Sequence, residues 1–217
     1  MDDRVREHAE VLVDWSARVE AGDQVVMDVA EGAHDLAVAV AAKLGERDAT
    51  LLTTYRSSEV GRAFLRAGDD DREFGGSDPE LAMLEAADVY LRVGGGRNTT
   101  ALADVDGDRR TAARKANKAA REARMDTDWV STVHPTRSLA QQAGMAYEEY
   151  QDFVYDAVIR DWESLAEEMA NMKELLDAGS EVRIEKDRTD LTMSIEDRTA
   201  VNSAASVAYD SHNLPSG

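Results

Sequence analysis

The chain has 217 residues, with 25 lysines and arginines against 44 aspartates and glutamates, giving a formal net charge of −19 and a sequence pI near 4.5. Hydrophobic residues make up 43% and charged residues 32%, enough apolar material for a buried core, which argues against wholesale disorder. The acidic balance argues against a nucleic-acid partner held by phosphate neutralisation and against an anionic lipid surface, and the absence of cysteine excludes disulfides, thiolate metal sites and cysteine nucleophiles. The acidic start Met1-Asp2-Asp3-Arg4 has no signal-peptide apolar stretch, and no apolar run reaches membrane-spanning length. The expectation is a cytoplasmic chain with neither membrane nor nucleic-acid partner. Five lysines stand beside twenty arginines. A carboxylate surface with few lysine stems suits molar salt, where the screening length falls to about 3 Å, so the composition reads as halophilic.

In chain order, Asp3 to Val19 carries Val5, Ala9, Leu12, Val13 and Val19 at roughly helical spacing and stops at Gly22. Gln24 to Val29 is short, β-branched and bounded by turn residues, which predicts a buried strand. His34 to Leu44 predicts a helix closed by Gly45, and Ala49 to Tyr55 a second strand. A helix from about Glu59 to Ala67 follows, then a loop, then a helix from Pro79 to Ala87. Asp88 to Val93 predicts the third strand, ending in Gly94-Gly95-Gly96. A long polar helix is expected over Asp108 to Arg124, and Asp128 to Val133 predicts a fourth strand closed by His134-Pro135. Strands separated by helix-length segments pair in parallel through right-handed crossovers, so Gln24 to Val133 predicts a doubly wound α/β sheet. Helices follow at Thr136–Gly144, Tyr147–Asp161 and Glu163–Ala178. A β-hairpin comes next, from Glu181–Glu185 and Leu191–Ile195, and then Ser203 to Tyr209, read as extended. The chain therefore divides into an α/β domain with a helical connector over 1–178 and the incomplete beginning of a second, β-containing domain over 179–217. The expectation is an N-terminal portion of a longer protein.

Local motifs carry little chemistry by themselves. Gly94-Gly95-Gly96 follows a strand but matches neither a dinucleotide fingerprint nor a phosphate loop, and reads as a tight exit from the sheet. A nucleotide-binding module is a distant reading of it. Asp104-Val105-Asp106-Gly107-Asp108 starts like a calcium loop, but Arg109 and Lys115 occupy its sixth and twelfth positions, so it reads as an exposed acidic turn. His8, His34, His134 and His212 lack ligand spacing and read as structural or exposed. There is no nucleophile elbow. Trp15, Trp129, Trp162, Phe153 and Tyr155 read as core.

Several motifs in order nevertheless carry a resemblance over nearly the full length. Arg4 to Ser16 with Gly22-Asp23-Gln24-Val25-Val26 comes first, then Trp129 with His134-Pro135-Thr136, Ala140-Gln141 and Met145. Glu149 to Ala157 with Asp161-Trp162 follows, then Thr189-Asp190-Leu191-Thr192 and Asn213-Leu214-Pro215-Ser216-Gly217. This series resembles the N-terminal part of the thermophilic-aminopeptidase family of metallopeptidases, the aminopeptidase T and aminopeptidase S group, with His134 where tyrosine is usual. The resemblance implies an α/β N-terminal domain and a C-terminal catalytic domain holding two divalent metal ions (zinc, cobalt or magnesium) that hydrolyse N-terminal residues from a peptide substrate. It places the first metal ligand directly after the glycine matching Gly217. It therefore carries no metal ligand and no catalytic residue onto this sequence, and implies a chain inactive as it stands. Asp190 and Asn213 are its candidate contributors to an active-site wall, and a homodimer is its expected assembly. The competing reading is a non-catalytic interaction or dimerisation module that retains the α/β domain.

Overall fold

A computed structural model of the chain describes residues 2–69 and 72–208. Helix α1 (Asp3–Glu10) is capped by Asp2, whose carboxylate accepts from the Arg4 amide at 3.0 Å, and runs into a π-helical stretch, Val11–Ser16. Strand β1 (Gln24–Ala30) is buried from Val25 to Val29, and α2 (His34–Glu46) leads to β2 (Thr50–Arg56). Helices α3 (Ser58–Arg66) and α4 (Asp78–Glu85) precede β3 (Val89–Gly94). Helices α5 (Gly107–Ala116) and α6 (Lys118–Met125) precede β4 (Asp128–Val133). Then come α7 (Arg137–Ala143), α8 (Tyr147–Val158), α9 (Trp162–Asp177) and the antiparallel pair β5 (Glu181–Lys186) and β6 (Thr189–Ser194).

The first four strands form one parallel sheet in the order β2-β1-β3-β4, the doubly wound α/β sheet that strand–helix alternation predicts. Side-chain alternation divides its faces. Val25, Met27, Val29, Leu91, Val93 and Val130 join the main core with Leu12 and Val13 of the π-helical stretch, Leu36 and Val40 of α2, and Val154, Tyr155 and Val158 of α8. Val26 and Tyr90 point the other way, against Leu84 of α4 and Ala120 of α6. Truncating a fully buried leucine such as Leu12 or Leu36 to alanine would cost about 2–5 kcal/mol. Among the described residues, no helix is long and apolar enough to cross a membrane.

Four local expectations change. The first helix does not run to Val19: it widens into the π-helical stretch and ends at Ser16, with Arg18 at φ 49°. The long helix over Asp108 to Arg124 breaks at Asn117, whose backbone leaves the helical region at φ −89° and ψ 26° and whose side-chain oxygen accepts from the Ser77 amide at 3.3 Å. Phe153 is not core: it is 53% exposed and lies against Tyr150.

Ser203 to Ala208 is not an extended strand. Ala204, Ala205 and Ser206 are buried, and the Trp15 indole donates to the Ala204 carbonyl and the Val207 amide to the Ser16 carbonyl, both at 2.8 Å. Small side chains let this backbone approach the π-helical stretch closely. Tyr209, like His212 and Asn213, lies outside the described residues.

The β5–β6 hairpin is amphipathic. Val182 pairs with Met193 and Ile184 with Leu191, placing all four on one face. Ile184, Leu191 and Met193 remain 40–47% exposed. The opposite face is polar, carrying Glu181, Arg183, Glu185, Asp190, Thr192 and Ser194.

Candidate functional site

The C-terminal ends of the parallel strands converge on a crossing of glycines. The chain leaves β1 through Glu31-Gly32, β3 through Gly94-Gly95-Gly96 and β4 through His134-Pro135. The Gly32 amide donates to the Gly95 carbonyl at 3.0 Å, and a Cβ on Gly32 would overlap that oxygen. Gly95 sits at φ +130°, where a Cβ would also press on the His134 carbonyl at 2.9 Å. The His134 amide donates to the Gly94 carbonyl at 2.9 Å, and the hydroxyls of Thr136 and Ser138 donate to the Gly96 carbonyl at 3.1 and 2.5 Å. These bonds explain the glycine triplet as the expected tight exit. Neighbouring strands β1 and β3 lead to opposite edges of the sheet, so the crossing lies at the topological switch point, where open α/β sheets place ligands.

A cleft lies on each side of the crossing. The first, about 490 Å³, is lined by Glu31, His34, Asp35, Arg97, His134, Arg137 and Tyr147 among others. The Arg137 guanidinium lies over the Tyr147 ring at 4.5 Å. His134 is 7% exposed, and its Nδ1 has no hydrogen-bond partner; burial pulls its pKa down, against the pull of the Asp35 carboxylate. Beneath it His8 is fully buried, its Nε2 2.7 Å from the Thr132 hydroxyl. Burial, with a smaller contribution from His134, lowers the His8 pKa to about 3. The Tyr155 ring stands edge-on to His8, and burial pushes its phenol up to about 12.

The second cleft, about 450 Å³, opens on the opposite face beside Asp28, Arg56, Ser57, Arg92 and Gly94. Buried Asp28 accepts from Arg56 Nε at 2.6 Å, Thr54 Oγ1 at 3.0 Å and the Tyr90 hydroxyl at 3.2 Å. Arg56 also reaches Glu80 at 3.0 Å. Burial and then the Asp28 charge push the Tyr90 phenol up to about 12. This network is satisfied and structural.

The resemblance-derived candidates lie elsewhere. Asp190 sits on the polar face of β6, exposed, with both carboxylate oxygens on Arg183 at 2.8 and 3.0 Å; Asn213 is outside the described residues. The calcium-like stretch is an acidic turn. Asp104 pairs with Arg62 and Arg66, and Asp106 caps α5 through the Asp108 and Arg109 amides. Among the described residues, no group of three or more histidines, aspartates or glutamates could hold a metal ion, so they do not fit a two-metal centre. Composition and spacing do not reveal the gathering of His34 and His134 at one cleft. The usable signal is position: each stands just past the C-terminal end of a predicted parallel strand.

The family model described as thermophilic metalloprotease (M29) matches residues 1–217. Among solved structures, the chain is similar to wild-type AmpT from Thermus thermophilus, with a TM-score of 0.72 and 18% sequence identity, covering 88% of this chain and 53% of that one. That likeness shows the α/β fold with its small antiparallel sheet, and this chain spans about half the length of the Thermus protein. Comparison with curated proteins finds no match.

Proposed function

Since the chain belongs to the thermophilic metalloprotease (M29) family over its whole length, we propose that it forms the α/β part of a metal-dependent aminopeptidase that releases N-terminal amino acids from peptides. The family match carries this reading. Two divalent ions, zinc, cobalt or magnesium, are assigned to residues other than those described, because the donor set here does not fit them. The hairpin supports the assignment physically. A two-stranded hairpin is marginal by itself, and the exposed apolar face of Ile184, Leu191 and Met193 is what a larger sheet or domain would cover. We assign Asp190, held by Arg183 on the opposite face, to the active-site wall on the family resemblance alone.

The test is to assay hydrolysis of leucine anilide with added cobalt, zinc or magnesium. One sample is the 217-residue chain; the other is the product of the coding sequence read beyond the codon for Gly217. The expected result is no turnover by the former and chelator-sensitive turnover by the latter. Chelator-sensitive turnover by the 217-residue chain would overturn the placement of the metal centre, and a longer product without metal-dependent turnover would overturn the aminopeptidase reading.

A second reading is an interaction module that pairs with its own copy; it is supported by apolar side chains exposed at the β2 edge of the sheet, Leu52 and Tyr55 on opposite faces of β2 and Val60 and Phe64 on α3. Light scattering showing only monomer at high concentration would count against it.

A further inference from the structure

We propose that a third hollow, of about 220 Å³ between α4, β3 and the α5–α6 pair, binds a phosphate group, carried as the free ion or at the end of a small phosphomonoester. The sequence first marks the place. Between Arg109 and Arg124 the chain carries seven lysines and arginines and one carboxylate, Glu122, although its net charge is −19. Glu122 lies 3.3 Å from Lys118, so it answers none of the arginines. The structure then gathers part of this basic run at one hollow. Arg114, Asn117, Arg121 and Arg124 follow one another three or four residues apart, the spacing of one helical face, and all four line the hollow together with Arg56 from β2.

The balance and the posture of these charges separate the hollow from an ordinary solvated surface. Of its four guanidiniums, that of Arg56 is answered by Asp28 at 2.6 Å and Glu80 at 3.0 Å. Glu80 is the one carboxylate among the described lining residues, and Arg114, Arg121 and Arg124 have no ion pair among the described residues. Like charges gathered at one concavity raise its potential, and an anion relieves them. Arg124 is positioned before any ligand arrives. Its guanidinium lies 5.8 Å from the ring centroids of both Tyr90 and Trp129, and its Nε is shut off from solvent, so its two outer nitrogens are the donors it turns to the hollow. Asn117 is fixed in a similar way: the Ser77 amide occupies its side-chain oxygen at 3.3 Å, which leaves its amide nitrogen as the end able to donate.

Shape and size then select the anion. Arginines reach the hollow from β2, α5 and α6, three elements and therefore different directions. A planar carboxylate is satisfied by a single guanidinium fork, whereas a phosphate monoester offers oxygens in several directions and a charge of about −1.5 to −2. Guanidinium is also the side-chain group whose planar fork matches phosphate oxygens in pairs. The volume is below the range of about 300–1,000 Å³ typical of small-molecule sites. It suits an ion-sized group, with the rest of any ester left in solvent.

The proposal does not depend on the aminopeptidase reading, because the test reads binding by this chain and not turnover. Inorganic phosphate, glycerol phosphate and acetate are titrated separately into the ¹⁵N-labelled 217-residue chain at constant KCl and at a pH above the second phosphate ionisation, about 6. The signals followed are the backbone amides of Asn117 and Arg121 and the side-chain Nε–H of Arg124. The expected result is saturable shifts at these signals with at least one of the two phosphates and none with acetate. Equal or tighter binding of glycerol phosphate identifies a phosphomonoester as the ligand, and weaker binding identifies the free ion. Arg114→Gln and Arg121→Gln, at exposed positions where circular dichroism should match the parent, should each weaken binding about tenfold. Lys115→Gln, one residue from Arg114 but outside the hollow, should leave binding within about twofold. Absence of saturable shifts with both phosphates overturns the proposal. So does acetate binding as tightly as phosphate, or Lys115→Gln weakening binding as much as Arg121→Gln, which would reduce the site to a general basic surface.

Discussion

Buried His8 makes the stability of this chain fall with acidification in a window that extends well above the carboxylate range. Its pKa is about 3 in the folded chain against 6.5 for a free histidine, because burial opposes the charged form. Between those values the unfolded chain carries a proton on His8 that the folded chain does not, so unfolding takes up a proton and stability rises with pH. The contribution is fully present above pH 6.5 and is lost progressively as pH falls toward 3. One proton corresponds to about 1.4 kcal/mol per pH unit, so moving from about pH 8 to about pH 5 removes about 2 kcal/mol. Acidification toward the pI of 4.5 also relieves repulsion among surface carboxylates, which acts in the opposite direction. The comparison that isolates His8 is with His8→Gln, which keeps a side chain able to reach the Thr132 hydroxyl but cannot titrate. Urea unfolding followed by circular dichroism at constant high KCl should show wild type losing about 2 kcal/mol more than His8→Gln between those pH values. Parallel losses in the two proteins would refute the argument that His8 is held neutral by burial.

Asp28→Ala leaves the hydroxyls of Tyr90 and Thr54 without their acceptor and removes one of the two carboxylates that hold Arg56, and should cost about 3 kcal/mol in urea unfolding. Asp28→Asn, which keeps an acceptor oxygen, should cost about half of that, since Arg56 is 59% exposed and well solvated. Gly61 lies within α3 with open space for 4 Å around the position a Cβ would take, so Gly61→Ala should stabilise by about 0.5–1 kcal/mol, whereas Gly32→Ala should destabilise by about 1–3 kcal/mol through overlap with Gly95; thermal melts of the two variants check both signs. Trp15→Phe removes the donor to the Ala204 carbonyl and should accelerate amide exchange at Ala205 to Val207 while leaving β1 and β3 protected. The acidic, lysine-poor surface predicts that the helical circular-dichroism signal is retained in molar KCl and weakened at low salt, and full folding without salt would remove the halophilic reading.

Much of the fold is legible in the sequence because it rests on local pattern. Strand β4 occupies Asp128–Val133, the predicted span, since an alternating β-branched run between turn residues has few other solutions. The β1, β2 and β3 spans differ from expectation only at their ends. What stays hidden depends on partners distant in sequence. Asn117, where the long helix breaks, has its side-chain partner Ser77 forty residues earlier, and the segment around Ala204 curls against Trp15 and Ser16, which offer a donor and an acceptor. Phe153 reads as core for a related reason. Helical spacing places it near the apolar stripe of α8, but the neighbouring elements cover Tyr150, Val154 and Tyr155 and stop short of it.

The site is legible only in part, and the parts come from different sources. The glycine triplet shows itself as a sheet exit, but nothing local indicates what it crosses; Gly32, more than sixty residues earlier, requires the close approach as much as Gly95 does. The histidines carry no ligand spacing, because His34 and His134 are brought together by strand order and not by neighbourhood in the chain. Asp190 is visible as part of an ordered motif, yet a motif gives no orientation: the hairpin register places it with Arg183 on the polar face, away from Ile184 and Leu191. The two faces of that hairpin thus separate an exposed apolar surface on one side from a paired carboxylate on the other. A one-residue slip in register would exchange them, which is why the pairing of Ile184 with Leu191 matters more to the proposed function than either side chain does alone.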